Sequence, residues 1–324
     1  MQVLVVGGAG YIGGHVTLDL LKHGHGVTVF DNLSTGCREN IPEKAHFVAG
    51  DLLQPAQLER LLAASRFEAV VHLAALKAAG DSMTDPEQYG HHNICGSISL
   101  LNQAARHGIR YFVFSSSAAV YGDPQYLPMD EKHRLEPTNF YGFTKLQFER
   151  QLAWFHRLRG MSYACLRYFN AAGYDADQAV KGLEINPKNL IPLVMEVATG
   201  RRKRLSVFGA DYETADGTCI RDYIHVTDLA DAHTRALNFL AEGGDPLTVN
   251  LGSEEGHSVL EVVRTAQQVT GRPIPYDLVG RRAGDPPSLL AAAGKARRIL
   301  DWRARHSDLH HMLTTAWRVY RDRA

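Results

Sequence analysis

Short apolar runs alternate with amphipathic stretches through the first half of the chain. Val3-Leu4-Val5-Val6 is continuous, mostly β-branched and uncharged, which predicts a parallel strand buried on both faces. Val16, Leu18, Leu20 and Leu21 follow it at roughly helical spacing. The same alternation continues with Val27-Thr28-Val29-Phe30, His46-Phe47-Val48-Ala49, the run 69–75, Tyr111-Phe112-Val113-Phe114 and the run 163–168. Helical patterns lie between them, among them 93–105 and the stretch through Leu146, Phe148, Leu152 and Phe155. Six strands alternating with helices up to about residue 170 predict a doubly wound parallel α/β sheet of the Rossmann type.

Past Asn170 the alternation weakens and loops lengthen. Helices are expected at 190–198, 227–240 and 258–269, and strands at 205–208 and around Val249-Asn250-Leu251. Leu229, Ala232, Ala236, Leu237 and Leu240 form an apolar face that predicts a return of helix 227–240 to the first domain, with Thr227 and Asp228 as its cap. The expected organisation is a dinucleotide domain over 1–170, joined by that returning helix, and a smaller mixed α/β substrate domain over 171–324. No internal repeat, low-complexity tract or Gly/Ser tether marks the boundary.

The first strand runs into Gly7-Gly8-Ala9-Gly10-Tyr11-Ile12-Gly13. Glycines at 7, 10 and 13 permit a tight turn, close backbone approach to a pyrophosphate and close helix–strand contact. The second strand ends at Asp31, whose carboxylate suits ribose hydroxyls and would repel a 2′-phosphate, so NAD is expected over NADP. The third ends at Asp51, which can face an adenine or cap the next helix. Lys77 falls just past the fourth, at the sheet edge where ligands gather.

The fifth strand runs into Ser115-Ser116-Ser117, and a turn-rich stretch leads on to Tyr141-Gly142-Phe143-Thr144-Lys145. Four residues apart on a helix, Tyr141 and Lys145 share one face. A neighbouring ammonium is expected to lower the phenol from its ordinary value near ~10 and make Tyr141 a general base, with Ser117 bonded to the same substrate oxygen.

Charge and composition narrow the partners. Thirty-five basic residues balance thirty-five acidic ones, so no global field recruits nucleic acid or an anionic membrane. Arg201-Arg202-Lys203-Arg204 reads as solvated charge at a helix end. The four cysteines stand far apart, which predicts reduced thiols in a cytoplasmic protein. Among the sixteen histidines none follows a metal-ligand spacing, so no metal is expected. No run approaches the ~20 apolar residues of a membrane span.

These motifs carry a resemblance. Gly-Gly-Ala-Gly-Tyr-Ile-Gly, the serine run and Tyr-x-x-x-Lys are shared across the extended short-chain dehydrogenase/reductase superfamily. Phe30-Asp31-Asn32-Leu33, Ala75-Leu76-Lys77-Ala78, the run 167–173 and the stretch 208–226 narrow it further: from Val3 to about Asp285 the chain resembles the UDP-glucose 4-epimerases, also called UDP-galactose 4-epimerases. The resemblance implies interconversion of UDP-glucose and UDP-galactose by transient oxidation at C4 on a tightly bound NAD. A 4-epimerase of UDP-N-acetylhexosamine or of a UDP-pentose is the alternative; a non-catalytic cofactor sensor is disfavoured by the retained Ser117, Tyr141 and Lys145. It implies Tyr141 as base, Lys145 as ribose ligand and electrostatic partner, and Ser117 as hydrogen-bond partner. Expected cofactor contacts are Gly7, Gly10, Tyr11, Ile12, Gly13, Asp31, Asn32, Asp51, Leu52, Lys77, Asn93 and Tyr168. Expected UDP contacts are Asn170, Asn189, Leu190, Phe208, Arg221, Tyr223, Arg282 and Asp285, with Phe208 offering a flat face to uracil and the arginines forking onto the diphosphate. It also implies a homodimer through the helices near 93–105 and 145–158. The chain departs from the pattern at Gly90 and His91-His92, at Leu289 near a position that governs N-acetylated sugars, and at Ala291-Ala292-Ala293.

Overall fold

The computed structural model describes residues 1–282 and 285–323; of the tail motif read from the sequence, Arg282 and Asp285 are described and the two residues between them lie outside. Its strands are β1 (Gln2–Val6), β2 (Gly26–Asp31), β3 (His46–Ala49), β4 (Ala69–His72), β5 (Tyr111–Ser117), β6 (Ser162–Tyr168), β7 (Asn170–Ala172), β8 (Leu205–Phe208), β9 (Ile220–His225), β10 (Leu247–Leu251), β11 (Gly256–Ser258), β12 (Tyr276–Val279) and β13 (Ser288–Leu289). Its α-helices are α1 (Tyr11–Lys22), α2 (Pro55–Ala64), α3 (Pro86–Tyr89), α4 (Ser97–Arg106), α5 (Phe140–Arg159), α6 (Leu190–Ala198), α7 (Val226–Ala241), α8 (Val259–Thr270), α9 (Gly294–Leu300) and α10 (Leu309–Arg321).

A seven-stranded sheet in the order β10-β6-β5-β4-β1-β2-β3 carries the fold, every neighbouring pair parallel. Helices cover both faces, so its central strands bury both sides, as the apolar runs predict. Strand order reverses between β1 and β4, which opens a crevice at their carboxyl ends. Two smaller sheets lie beyond: β11-β9-β13 with β7 paired to β9, and the pair β12-β8.

The stretch from 171 onward contributes to two cores. Helix α7 returns to α1, where Thr234 Oγ1 donates to Asp19 Oδ2 at 2.6 Å. The strand around Val249 pairs with β6 and is the seventh strand of the main sheet, and Trp302 is buried in the same core. A second core forms where α6, α8 and α10 pack together, around Val194, Met195, Val263, Met312 and Leu313.

Two local expectations are corrected. The cap of α7 is His225, whose Nδ1 accepts from Thr227 N at 3.1 Å, because β9 runs into the helix without a turn. Asp228 instead accepts from Arg305 N, His306 N and Ser307 Oγ and pins the chain ahead of α10. The helix expected at 93–105 starts earlier and is irregular: α3 continues through a π-helical turn at Gly90–Gly96 into α4, with Asn93 inside that turn. A side chain at Gly90 would meet only ring carbons of Phe140, at 3.9 Å.

Candidate active site

The glycine loop fits a dinucleotide. Gly7 has φ +85°, and a Cβ there would lie 2.4 Å from Ala74 N on the loop after β4. A Cβ on Gly13 would lie 2.1 Å from Gly7 O, so α1 approaches the end of β1 more closely than a side chain allows. Gly10 precedes the first turn of α1, where free backbone N–H groups and the helix dipole suit a pyrophosphate. Asp31 ends β2 beside this loop, its Oδ2 accepting from Ala9 N and its Oδ1 from Leu33 N. Ile12 packs on the main core, and Leu52 packs on the cluster beneath β2 and β4. Tyr11 hydroxyl donates to Gly173 O and so ties α1 to the strand after β6. The residues present therefore accommodate NAD: a cradle closed to any Cβ, a helix N-terminus and a carboxylate at the second strand end.

Three expected cofactor residues take partners the sequence did not reveal. Asp51 does not cap α2, whose N-cap is Gln54; its Oδ1 accepts from Leu53 N and its Oδ2 from Asn32 Nδ2, because a short turn separates β3 from the helix. Asn93 is buried and engages Leu76 in both directions, at 2.9 Å each, while its Nδ2 also reaches Thr144 Oγ1 at 3.2 Å. Lys77 pairs with Glu184, which reaches it from the loop between β7 and α6.

Helix α5 is capped by Asn139, whose Oδ1 accepts from Gly142 N at 2.9 Å. This sets Tyr141 in its first turn, beneath the carboxyl end of β5. Ser117, at the end of β5, accepts from Ala119 N at 3.2 Å through its Oγ and lies close enough to Tyr141 to influence its phenol. Lys145 Nζ donates to Ser115 O at 2.8 Å and lies over the rings of Phe114 and Tyr141, 4.9 and 5.6 Å from their centroids. Ser115 Oγ in turn bonds Tyr168 hydroxyl. The expected electrostatics are corrected here. Burial pushes the Tyr141 phenol up to about 12, and the neighbouring Ser117 hydroxyl offsets only part of that. Burial also brings Lys145 down to about 7, against the pull of Glu149. The ammonium faces the ring and a carbonyl, so desolvation prevails over the cation in this geometry.

Residues expected around a nucleotide converge from β8, β9 and the tail. Arg221 Nη1 donates to Ile220 O and Pro286 O, and its Nη2 to Asp285 Oδ1 at 3.3 Å. Arg282 pairs with Asp285 at 3.9 Å, and its guanidinium lies 4.4 Å from the centroid of the Phe208 ring. One face of Phe208 is therefore covered by Arg282, which corrects the picture of an open platform for uracil. Asn170 Nδ2 donates to Asp222 O at 2.9 Å. Asn189 precedes α6 and lines a cavity with Tyr11, Ala171 and Glu184, while Leu190 packs on the second core. Tyr223 is buried in that core, because β9 turns it inward.

Comparison with known proteins decides the family. Residues 3–252 match the model of the NAD dependent epimerase/dehydratase family. This chain belongs to that family. Among its relatives, the UDP-glucose 4-epimerase of Rhizobium leguminosarum bv. trifolii is 45% identical over 315 residues, 97% of this chain and 96% of the relative. The crystal structure of UDP-glucose 4-epimerase from Brucella ovis in complex with NAD superposes with a TM-score of 0.96 at 43% identity, covering 99% of this chain and 98% of that one. That from Bifidobacterium longum in complex with NAD+ and UDP gives 0.91 at 35% identity, covering 100% and 98%. Within the epimerase/dehydratase family these relatives identify the chain as one of the UDP-glucose 4-epimerases.

In this epimerase the motif reading missed Glu149, Arg167 as its partner, and Glu184. Glu149 was within reach, since it follows Lys145 by one turn on the same face. Glu184 was not, because 107 residues separate it from Lys77. Among the described residues no group of three His, Cys, Asp or Glu side chains is placed to hold a metal.

Proposed function

We propose that this epimerase interconverts UDP-glucose and UDP-galactose by transient oxidation at C4 of the hexose, with Tyr141, Ser117 and Lys145 as its catalytic residues. The placing of Lys145 one turn after Tyr141, its Nζ 5.6 Å from the Tyr141 ring centroid and bonded to Ser115 O in the serine run, carries the reading. C4 bears no acidic proton, so inversion there requires oxidation and reduction. NAD, when bound, would supply the hydride acceptor and, as its reduced form, the hydride donor. Tyr141, as its phenolate, takes the proton of the 4-hydroxyl and, as the phenol so formed, gives it back after the flat 4-keto sugar has turned. Ser117 donates a hydrogen bond to the same substrate oxygen in this reading. Lys145, fixed on Ser115 O, sets the charge beside the phenol and would hold the cofactor ribose. Arg221, Arg282, Asp285, Phe208, Asn170 and Asn189 hold UDP firmly while the hexose stays free to turn, which places binding energy away from the reacting carbon.

Purified protein incubated with UDP-galactose, without added cofactor, is expected to form UDP-glucose. Tyr141→Phe should lose about 10²–10⁴ of kcat with UDP binding retained; near wild-type turnover overturns the assignment. UDP-N-acetylglucosamine and a UDP-pentose belong in the same assay, because Leu289 packs against Val120, Tyr121, Met129 and Leu146 near the proposed sugar site.

The oligomer is read as a homodimer through α4 and α5, because Phe143, Trp154 and Leu158 on α5 are exposed. Sedimentation should give a dimer, and Trp154→Glu with Leu158→Glu a monomer. Among the described residues no helix is long and apolar enough to cross a membrane. The four free cysteines support a cytoplasmic setting, which fractionation of the native host checks.

A further inference from the structure

Tyr141, Lys145 and Glu149 recur at every fourth position of α5 and form one stripe, partly exposed at Tyr141 and buried at Lys145 and Glu149. Glu149 is fully engaged. Its Oε1 accepts from Ser116 Oγ at 2.5 Å and from Arg167 Nε at 2.9 Å, and its Oε2 accepts from Arg167 Nη2 at 2.6 Å. Arg167 also donates to Tyr121 hydroxyl at 3.1 Å, which donates to Asn250 Oδ1 at 2.5 Å. The carboxylate is thus fixed between β5 and β6, one helical turn below Lys145.

A buried arginine–glutamate pair is a weak way to stabilise a core, since apolar residues of similar volume often serve as well. Its position gives it a second use. Lys145 faces Tyr141 and Glu149 from its own helix, Phe114 and Ser115 O from β5, and His72 from β4; from the neighbouring β6, Arg167 pairs with Glu149 and Tyr168 bonds Ser115. His72 is held neutral near pH 7, its imidazole lowered to about 3 by burial and by Lys145. Among these described neighbours Glu149 is the one carboxylate. Burial drives Lys145 toward the amine, and Glu149 opposes it.

We infer that Glu149 is a positioning residue for the reaction: its carboxylate, clamped by Arg167 and Ser116, is the counter-charge that keeps Lys145 an ammonium beside Tyr141. This rests on the proposed role of Lys145. Without Glu149 the buried lysine becomes an amine at a lower pH, and Tyr141 loses the cation over its ring.

The test is the pH profile of kcat for the NAD-loaded enzyme. Glu149→Gln should move the alkaline limb, where the ammonium is lost, down by about one pH unit or more, and Glu149→Asp should restore it. Because Glu149→Gln leaves Arg167 buried without a partner, the pair Glu149→Gln/Arg167→Met is measured beside it, and a smaller shift in the same downward direction is expected, since a cation leaves with the carboxylate. A limb that stays in place in both overturns the inference, whatever the loss of stability. Lys145→Met separates the two levels. If it is inactive while the limb stays fixed, Glu149 alone is misassigned; if it is fully active, the reading of the catalytic residues falls and the inference falls with it.

Discussion

The cofactor side and the nucleotide side of this epimerase are built from different materials. Around β1, β4 and α1 the site is backbone: glycines that admit no Cβ, a helix N-terminus, and carboxylates held by main-chain N–H groups. Around β8, β9 and the tail it is side chain: Arg221, Arg282, Asp285 and Phe208, occupied with one another. A backbone cradle is complete before its ligand arrives and suits a group that stays. A set of arginines paired to an acid and a ring must exchange partners at each turnover, which suits a ligand that enters and leaves. Retention and exchange are thus divided between main chain and side chains.

The strongest way to break this contrast is to put a methyl group into the cradle. Gly13→Ala directs a Cβ to 2.1 Å from Gly7 O, and Gly7→Ala directs one to 2.4 Å from Ala74 N at φ +85°. Backbone cannot yield as a flexible side chain would, so each should cost about 3 kcal/mol or more and empty the cofactor site. Ultraviolet measurement of bound dinucleotide, with a melting curve, checks this. Full cofactor content in Gly13→Ala would mean that the cradle is adaptable and that the comparison is misdrawn.

On the other side single side chains should be separable. Arg221 is half-buried, with three hydrogen-bonding partners and one of them charged, so Arg221→Ala should raise the KM for UDP-sugar by about 10- to 100-fold. Arg282 is 54% exposed and stacks on Phe208, and its loss should raise KM by about tenfold or less. In both variants kcat should hold, because the contacts are uniform between ground and transition states. A fall in kcat with KM unchanged would move these arginines to the reacting end of the substrate.

The same division explains what the sequence disclosed. The parallel sheet and the glycine loop were legible because buried strands need unbroken apolar runs and positive φ needs glycine. The run Val249-Asn250-Leu251 disclosed a strand but not its sheet, since pattern carries no information about neighbours. Tyr141, Lys145 and Ser117 were legible as types at a spacing. The charge balance among them was not, because it follows from burial, which only packing fixes. Pairings such as Lys77 with Glu184, or Arg282 over Phe208, join distant segments and leave no local trace.

Titration offers a smaller test of where stability resides. His15, His72 and His233 in the cofactor half, and His225 at the join, are lowered by burial to about 4, 3, 4 and 3 from an ordinary 6.5. Between those values and 6.5 the unfolded chain binds the extra protons, so stability falls as pH falls from about 6.5 toward 4. Asp222 acts oppositely: burial raises it to about 6, and its contribution grows as pH falls from there toward 3.8. Asp19, Asp31 and Asp228 are raised by burial as well, but Asp222 is the one carried to about 6, so between pH 7 and pH 5 the four histidines prevail and the melting temperature should drop. His72 packs among Phe112, Phe114 and Phe148, and His72→Phe should flatten that slope by up to about 1.4 kcal/mol per pH unit. An unchanged slope would place acid sensitivity outside the buried histidines.

The smallest effect tests whether the frame of the second core is independent of the site. Ser258 closes a reciprocal cap on α8: its Oγ accepts from Glu261 N at 3.1 Å, and Glu261 Oε2 accepts from Ser258 N at 3.4 Å. The same hydroxyl donates to Asp216 Oδ2 at 2.5 Å, on the loop that leads into β9. Ser258→Ala removes the side-chain cap and should cost about 1 kcal/mol, read as a melting shift of a few degrees. If the nucleotide anchors are held by their own pairings, kcat/KM stays at the wild-type value. A tenfold fall would mean that Asp216 transmits the cap of α8 to Arg221, and the exchangeable side chains would then be as preorganised as the glycine loop opposite them.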